Sequence, residues 1–196
     1  MPSNATAPDT GGGPARSRGP TTRPLLADGV IALGRLIPGD APSIAVACSD
    51  PDTQRWLPLP TPYTIEDAVA FIRRQDETWA TDTEWIFAAR RADRGVLVGT
   101  VGVHPQGSDV VSLGYWTAPG HRCLGYASRA VRLATLFAFD HLHASRVEII
   151  VDERNVASCA TARRAGAREI GTRLTPADGG RHVPAVVHVL IRAESE

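Results

Sequence analysis

Residues 113–127 read Leu113-Gly114-Tyr115-Trp116-Thr117-Ala118-Pro119-Gly120-His121-Arg122-Cys123-Leu124-Gly125-Tyr126-Ala127. The stretch opens as the end of an apolar strand running from about Asp109 to Thr117, breaks at Pro119-Gly120, and enters a helical pattern that extends from about Gly125 to Leu142. On that helix Ala127, Ala130, Val131, Ala134, Phe137 and Ala138 recur at helical spacing and predict the buried side, while Arg129 and Arg132 face outward. A loop that turns directly into a helix leaves the first backbone N–H groups unpaired at the positive end of the macrodipole, which is an anion site. Gly125 permits a phosphate to approach the backbone closely, and the small Ala127 lets the helix pack against a sheet.

Downstream, Arg146 to Val151 reads as a strand of continuous apolar character broken only by Glu148. Strand, crossover helix and strand together predict a right-handed unit with its two strands parallel. A helix from about Val156 to Arg164 stops at Gly166, a natural C-terminal cap, and strands near Glu169–Leu174 and Val183–Ile191 close the chain. Upstream, Glu84–Arg91, a turn at Asp93-Arg94-Gly95, Val96–His104 and the strand from Asp109 have connections short enough for an antiparallel meander. Thr64 with Asp67 makes a capping box for a helix carrying Ala68, Phe71, Ile72 and Gln75 on one side and ending near Ala80. Asp40 is the expected N-cap of a helix through about Cys48, a further turn after Pro51 carries Trp56, Pro58 to Pro62 is a loop, and Val30–Leu33 is a short strand. Residues 1–24, rich in Gly, Pro, Ser and Thr, cannot repay their ordering entropy and are expected to be a disordered tail. Residues 25–196 form one domain without internal repeats.

Composition narrows the chemistry. All 21 basic residues of the 196 are arginine, balanced by 21 acidic ones. The lack of lysine excludes a Schiff-base lysine, a lysine nucleophile and a Walker A lysine, tasks that a permanently protonated arginine cannot take over. Zero net charge argues against a nucleic-acid or anionic-membrane footprint, and no apolar run reaches the roughly 18 residues of a membrane span. The expectation is a soluble, cytoplasmic protein. Cys48, Cys123 and Cys159 are odd in number and widely spaced, without a histidine at ligand distance, so they read as free thiols and no metal site is expected.

Leu113 to Pro119, then Arg122 to Ala127, then Asn155-Val156-Ala157-Ser158 about thirty residues on, together resemble the GNAT acyltransferase superfamily, and within it the RimJ/RimL branch that acetylates protein N-terminal amines. The resemblance spans about residues 25–192 and includes Trp56-Leu57-Pro58 and Thr64 to Ala68. It implies an α/β fold with a mixed, mostly antiparallel sheet of six to seven strands, a splayed parallel pair at its centre and about four flanking helices. It also implies acetyl-CoA as co-substrate and an amine as acceptor. By position, the family's pyrophosphate pattern falls on Arg122, Gly125 and Ala127, with backbone N–H groups from Arg122 through Cys123, Leu124 and Tyr126 to Ser128 as the cradle. Trp116, Thr117 and Ala118 match the strand that pairs with the pantetheine arm, Asn155 a pantetheine hydrogen-bonding residue, and Ser158 the helix serine beside the thioester sulfur. Arg163 or Arg164 is a partner for the 3′-phosphate or a solvent-facing helix residue. The chain departs from the pattern at Ala162, where many members carry a tyrosine acid, at Ala167, where phenylalanine is usual, and at Cys123, often glycine.

Acetyl transfer from a thioester needs a neutral amine, a polarised carbonyl and a competent leaving group. An α-amine, with a pKa of about 7.7–8.0 against roughly 10.4 for lysine, asks little of a base, and a thiol near 8.5 little of an acid. Holding two substrates in reacting geometry supplies about 7 to 11 kcal/mol by itself. Ser158 is the first candidate to protonate or steer the sulfur, against plain hydrogen bonding at a helix start. Glu148 either enters the acceptor cleft as a base or pairs with an arginine on the sheet. Glu84 and Asp178 are weaker base candidates, Cys159 reads as a core residue, His121 as a loop residue and His188 as a strand residue. Tyr115 and Trp116 read as packing residues, and Trp56, Trp79 and Trp85 as cleft wall or core. Open at this point are a protein N-terminus or a small amine as acceptor, monomer or homodimer, and a binder of acyl-CoA without turnover.

Overall fold

The tight turns upstream of the crossover do what their length requires: successive strands fold back on one another and pair antiparallel. The computed structural model describes residues 26–107, 109–176 and 182–192, so the expected tail and Asp178 lie outside the described residues. Strands β1 (Leu26–Ala27), β2 (Ile31–Arg35), β3 (Trp85–Arg91), β4 (Leu97–Pro105) and β5 (Val110–Thr117) lie side by side in chain order. Helix α4 (Tyr126–His141) then crosses over to β6 (Arg146–Asp152), which pairs parallel with β5. Helix α5 (Val156–Ala165) leads to the hairpin β7 (Arg168–Pro176) and β8 (His182–Ile191), with β8 inserted between β6 and β7. The sheet has eight strands, one more than the upper expectation, because the two-residue β1 is too short to carry a period.

Helix α4 packs its alanine-rich side onto the sheet. Ala130, Ala134 and Ala138 are buried and bring helix and strands close, while Phe137 meets Phe87 edge-on at 5.0 Å between ring centroids. Trp79 adds a second edge contact to Phe87 at 5.1 Å, and Trp85 is tilted against Phe137 at 5.7 Å, which makes these two tryptophans core residues. Each such pair contributes about 0.5–1.5 kcal/mol beyond its area burial. On the same side Cys159, Ala162, Ala165 and Ala167 pack beneath α5.

The opposite face is covered at one end by α1 (Ala41–Cys48), α2 (Pro51–Trp56) and α3 (Ile65–Ala80). Ile44, Cys48, Tyr63, Ala68 and Ile72 form its core against Ile86, Ala88 and Leu97. The Thr64/Asp67 capping box forms, with both reciprocal bonds made. Asp40 does not cap α1. Its buried carboxylate takes the Ile37 N–H at 2.8 Å and both arms of Arg90, because a charge-assisted fork outweighs one helix N–H. Helices α1 and α2, of eight and six residues, stand where one helix and a further turn were expected. Among the described residues no helix is long and apolar enough to cross a membrane.

Candidate active site

The parallel pair is incomplete. β5 and β6 are in register only over Val110–Ser112 against Arg146–Glu148, although the strands run on to Thr117 and Asp152. Beyond Ser112 they separate into a gap. On its other edge β5 stays paired with β4 as far as Thr117, and the Ala118 N–H continues the ladder to the Val98 carbonyl at 2.9 Å. Antiparallel strands direct alternate residues to alternate sides. Trp116 and Ala118 therefore turn their backbone groups to β4, and Tyr115 and Thr117 turn theirs to the gap. The same direction is visible at Gly99, where an added Cβ would lie 2.1 Å from the Trp116 carbonyl oxygen. Of the three residues expected to pair with a pantetheine arm, Thr117 turns its backbone to the gap, as Tyr115 does, while Trp116 and Ala118 turn theirs to β4.

The loop beyond the gap is built for an anion by its backbone. A 3-10 turn at Pro119–His121 leads to Cys123 at φ 61, Leu124, and Gly125 at φ 77, the N-cap of α4. Alternation of left-handed and ordinary backbone is the geometry of anion-binding nests. No side chain caps α4, so the first-turn N–H groups of Tyr126, Ala127 and Ser128 keep their donor capacity, and the Ser128 hydroxyl turns back onto the Gly125 carbonyl at 2.9 Å. Arg122 is placed otherwise than its motif position implies. Its guanidinium binds Asp50, the Thr53 hydroxyl at 2.9 Å and Asp52 at 3.4 Å, which ties the loop to α2. That guanidinium holds the Asp50 carboxyl below the usual carboxylate range.

Helix α5 begins at the far side of the gap. Asn155 caps it, its side-chain oxygen accepting the Ser158 N–H at 3.0 Å, so only the amide NH2 of Asn155 is left for a ligand. The Ser158 hydroxyl lies 2.9 Å from the Tyr115 hydroxyl, which also donates to the Ser158 carbonyl at 3.0 Å. Tyr115 is therefore more than a packing residue. It brings a phenol to the helix start from the strand, close to the region that Ala162, fully buried, leaves without a hydroxyl. Burial pushes the Tyr115 phenol up to about 12, so it stays protonated at neutral pH. Arg163 is 4.0 Å from Glu169 and half exposed on α5.

On the part of the sheet face that α1, α2 and α3 leave open, register aligns His104, Ser112 and Glu148 in one row across β4, β5 and β6, and Glu84, the residue before β3, lies beside His104. Glu148 lies on this face, and of its two expected alternatives the pairing with arginine is the one that forms. It is buried at 8% exposure and paired with Arg146 at 2.9 Å and Arg173 at 3.7 Å. Both guanidinium groups are thus engaged with its carboxylate. At the other end of the row His104 Nδ1 lies 2.7 Å from Glu84 Oε1. Sequence reasoning passed over His104 as the end of a strand; period-two alternation, which puts it on the side of Thr100 and Gly102, was the available signal. Cys159 is a buried free thiol. Burial raises its pKa. His121 rests edge-on to Tyr126 at 6.1 Å. His188 is fully buried in the α4 side of the sheet, as a strand residue.

A strand gap with free backbone donors, an uncapped helix start at one end and a hydroxyl pair at the other define the class of transferases that hold an extended acyl thioester in a sheet. Residues 31–168 match the acetyltransferase (GNAT) domain, and the chain belongs to that family. The N-acetyltransferase YoaA of Bacillus subtilis (strain 168), described as uncharacterized, is 26% identical over 137 residues, covering 69% of this chain and 77% of that protein. A ribosomal-protein-serine acetyltransferase structure from Vibrio cholerae superposes with a TM-score of 0.75 at 23% identity, over 87% of this chain and 98% of the other. RimJ of Mycobacterium smegmatis, solved with a CoA disulfide, gives a TM-score of 0.72 at 17% identity over 82% and 81%. The protein is an acetyl-CoA-dependent N-acetyltransferase, with the mixed sheet that the resemblance implied.

Proposed function

We infer that the chain acetylates the α-amine of a protein or peptide N-terminus, in the manner of the RimJ/RimL branch, by direct attack within a ternary complex. The observation that carries this reading is the β5/β6 gap, with backbone donors along it and the Tyr115–Ser158 hydroxyl pair at its inner side. The pyrophosphate of acetyl-CoA sits on the N–H groups of Tyr126, Ala127 and Ser128, with Cys123, Leu124 and Gly125 forming the turn around it. The pantetheine lies along Tyr115 and Thr117 and receives a hydrogen bond from the Asn155 amide. Arg163, exposed on α5 and held only at 4.0 Å by Glu169, takes the 3′-phosphate. Arg122 contributes its backbone, while its side chain fixes α2 against the loop. One N–H facing the gap polarises the thioester carbonyl. Ser158, hydrogen-bonded to a phenol that stays protonated, donates to the departing sulfur.

An α-amine acceptor is supported by the chemistry of this site. The Glu148 carboxylate is occupied by Arg146 and Arg173, and an amine with a pKa of about 7.7–8.0 is the kind that needs least help from a base. The sheet face around Ser112 and Gly114 is open, as a chain end requires, and one solved neighbour of this fold is named RimL, a ribosomal L7/L12 α-N-protein acetyltransferase. A cytoplasmic location fits such a substrate. The test is CoA-thiol release from acetyl-CoA with peptides beginning in serine or alanine, the same peptides N-terminally blocked but carrying an internal lysine, and spermidine. Release with the free N-termini alone is expected; turnover of spermidine alone would assign a small-molecule acceptor instead.

A further inference from the structure

We propose that His104, oriented by Glu84, is the catalytic base that takes the proton from the incoming amine; this rests on the acetyl-transfer reading above. His104 and Glu84 are both part-exposed, with side-chain exposures of 36% and 26%, so the pair is open to a substrate while its members touch. An imidazole nitrogen and a carboxylate oxygen approach to 2.7 Å only with a proton between them, and the carboxylate cannot supply it when ionised. Nδ1 is therefore a protonated nitrogen, and in the neutral imidazole it is Nε2 that carries the lone pair. Nε2 points over the floor of the open face: a Cβ built on Gly102 would come within 2.5 Å of it, and one on Gly114 within 3.7 Å. Two glycines side by side in adjacent strands make room for the ring: over Gly102 the space is taken by the imidazole and by Ile86 Cδ1, 2.6 Å from the same Cβ, so a side chain there would displace the ring, while Gly114 leaves the next position open.

The position in the sheet adds the second half of the argument. Ser112, the neighbour of His104 in register, is the last β5 residue paired with β6. The gap opens one residue later, so its closed end, where an extended thioester inserted along β5 must terminate, abuts the row that holds His104. Glu84, the residue before β3, is the charged group in contact with the imidazole. Glu148 on β6, compensated by Arg146 and Arg173, faces it from beyond Ser112.

The substrate ammonium gives one proton to His104 Nε2, and the freed lone pair forms the C–N bond to the thioester carbon. Collapse of the tetrahedral intermediate breaks the C–S bond, and the sulfur leaves with the electron pair. One of the two protons still on nitrogen passes to the thiolate through Ser158 and water. His104 then returns its proton to solvent, and Glu84 offsets the imidazolium charge meanwhile.

The test uses the full chain with acetyl-CoA and the serine- or alanine-initiated peptide that wild type turns over best. His104→Gln is expected to lower kcat/KM for the peptide about 100-fold at pH 7, the lower end of general-base contributions. Acetyl-CoA affinity, measured by calorimetry, should stay within about twofold. The deficit should shrink as pH rises past about 8, where the α-amine is neutral without help. Added imidazole should restore part of the activity of His104→Ala, and Glu84→Gln, a positioning change, should cost about tenfold or more with the same pH dependence. A deficit equal at pH 6.5 and pH 9, with no imidazole rescue, would make His104 a packing residue and overturn the proposal while leaving acetyl transfer intact. A wild-type chain that binds acetyl-CoA and acetylates none of the amines overturns the functional reading and the base with it.

Discussion

Gly125 separates the backbone's contribution to the anion site from its electrostatics. At φ 77 any side chain is strained, and a Cβ there meets nothing within 4 Å, so Gly125→Ala and Gly125→Glu share the same left-handed cost without a clash. That cost is about 1–2 kcal/mol, which for a chain of this length lowers Tm by about 2–8 °C. Glutamate at a helix start regains about 0.3–1 kcal/mol from the macrodipole, so the Glu variant should be at least as stable as the Ala variant. CoA binding should order them the other way. A carboxylate about 6 Å from a phosphate charge, at an effective dielectric of about 20, costs about 2.8 kcal/mol, or roughly 100-fold in Kd. Calorimetric titration with CoA, alongside thermal melts, therefore predicts Gly125→Ala within a few-fold of wild type and Gly125→Glu about 100-fold weaker, with the difference falling at high salt. Equal Kd values for the two variants would show that the pyrophosphate lies elsewhere and would refute the reasoning.

Tyr115→Phe removes one hydroxyl from Ser158 and keeps the ring. It should lower kcat about tenfold while KM for acetyl-CoA stays within about twofold, the mark of a group used in the transition state; a rise in KM alone would assign the tyrosine to binding. Cys123→Gly relieves a left-handed residue at φ 61 and should raise stability by up to about 1 kcal/mol after the extra freedom of the unfolded chain is counted, a Tm gain of about 2–4 °C. A fall in Tm would mean that the thiol packs usefully. Asp50, with its folded-state pKa depressed by Arg122, contributes stability that is present above the unfolded carboxylate pKa near 3.9 and is lost as pH falls through the lower folded value. Asp50→Asn should therefore be less stable than wild type at pH 7 and approach it in melts below pH 3; a gap that widens on acidification would contradict the pairing.

The parts of the fold that local rules govern were legible in the sequence. The Thr64/Asp67 box, the Gly166 stop at φ 100 and the strand–helix–strand crossover each depend on residues close in the chain, and each forms. Asp40 defied its capping role because Arg90, fifty residues on, offered a stronger partner, and Arg122 left its motif role for Asp50 across seventy residues. Tyr115 and His104 were hidden for a related reason. Their significance lies in the helix start and the strand that tertiary packing sets against them, which no spacing within their own strands encodes. Glu148 shows both sides of the problem: its interruption of an apolar strand marked it, but only the approach of Arg173 from β7 tells what the charge does.

The central claim is that acetyl-CoA held along β5 delivers its acetyl group to an α-amine. The most direct measurement is mass spectrometry of a serine-initiated peptide incubated with the protein and acetyl-CoA, together with stoichiometric thiol release. The account predicts one acetyl group on the peptide's N-terminal nitrogen and one CoA released for each; thiol release without peptide acetylation, or an acetyl group on a lysine side chain, would contradict it.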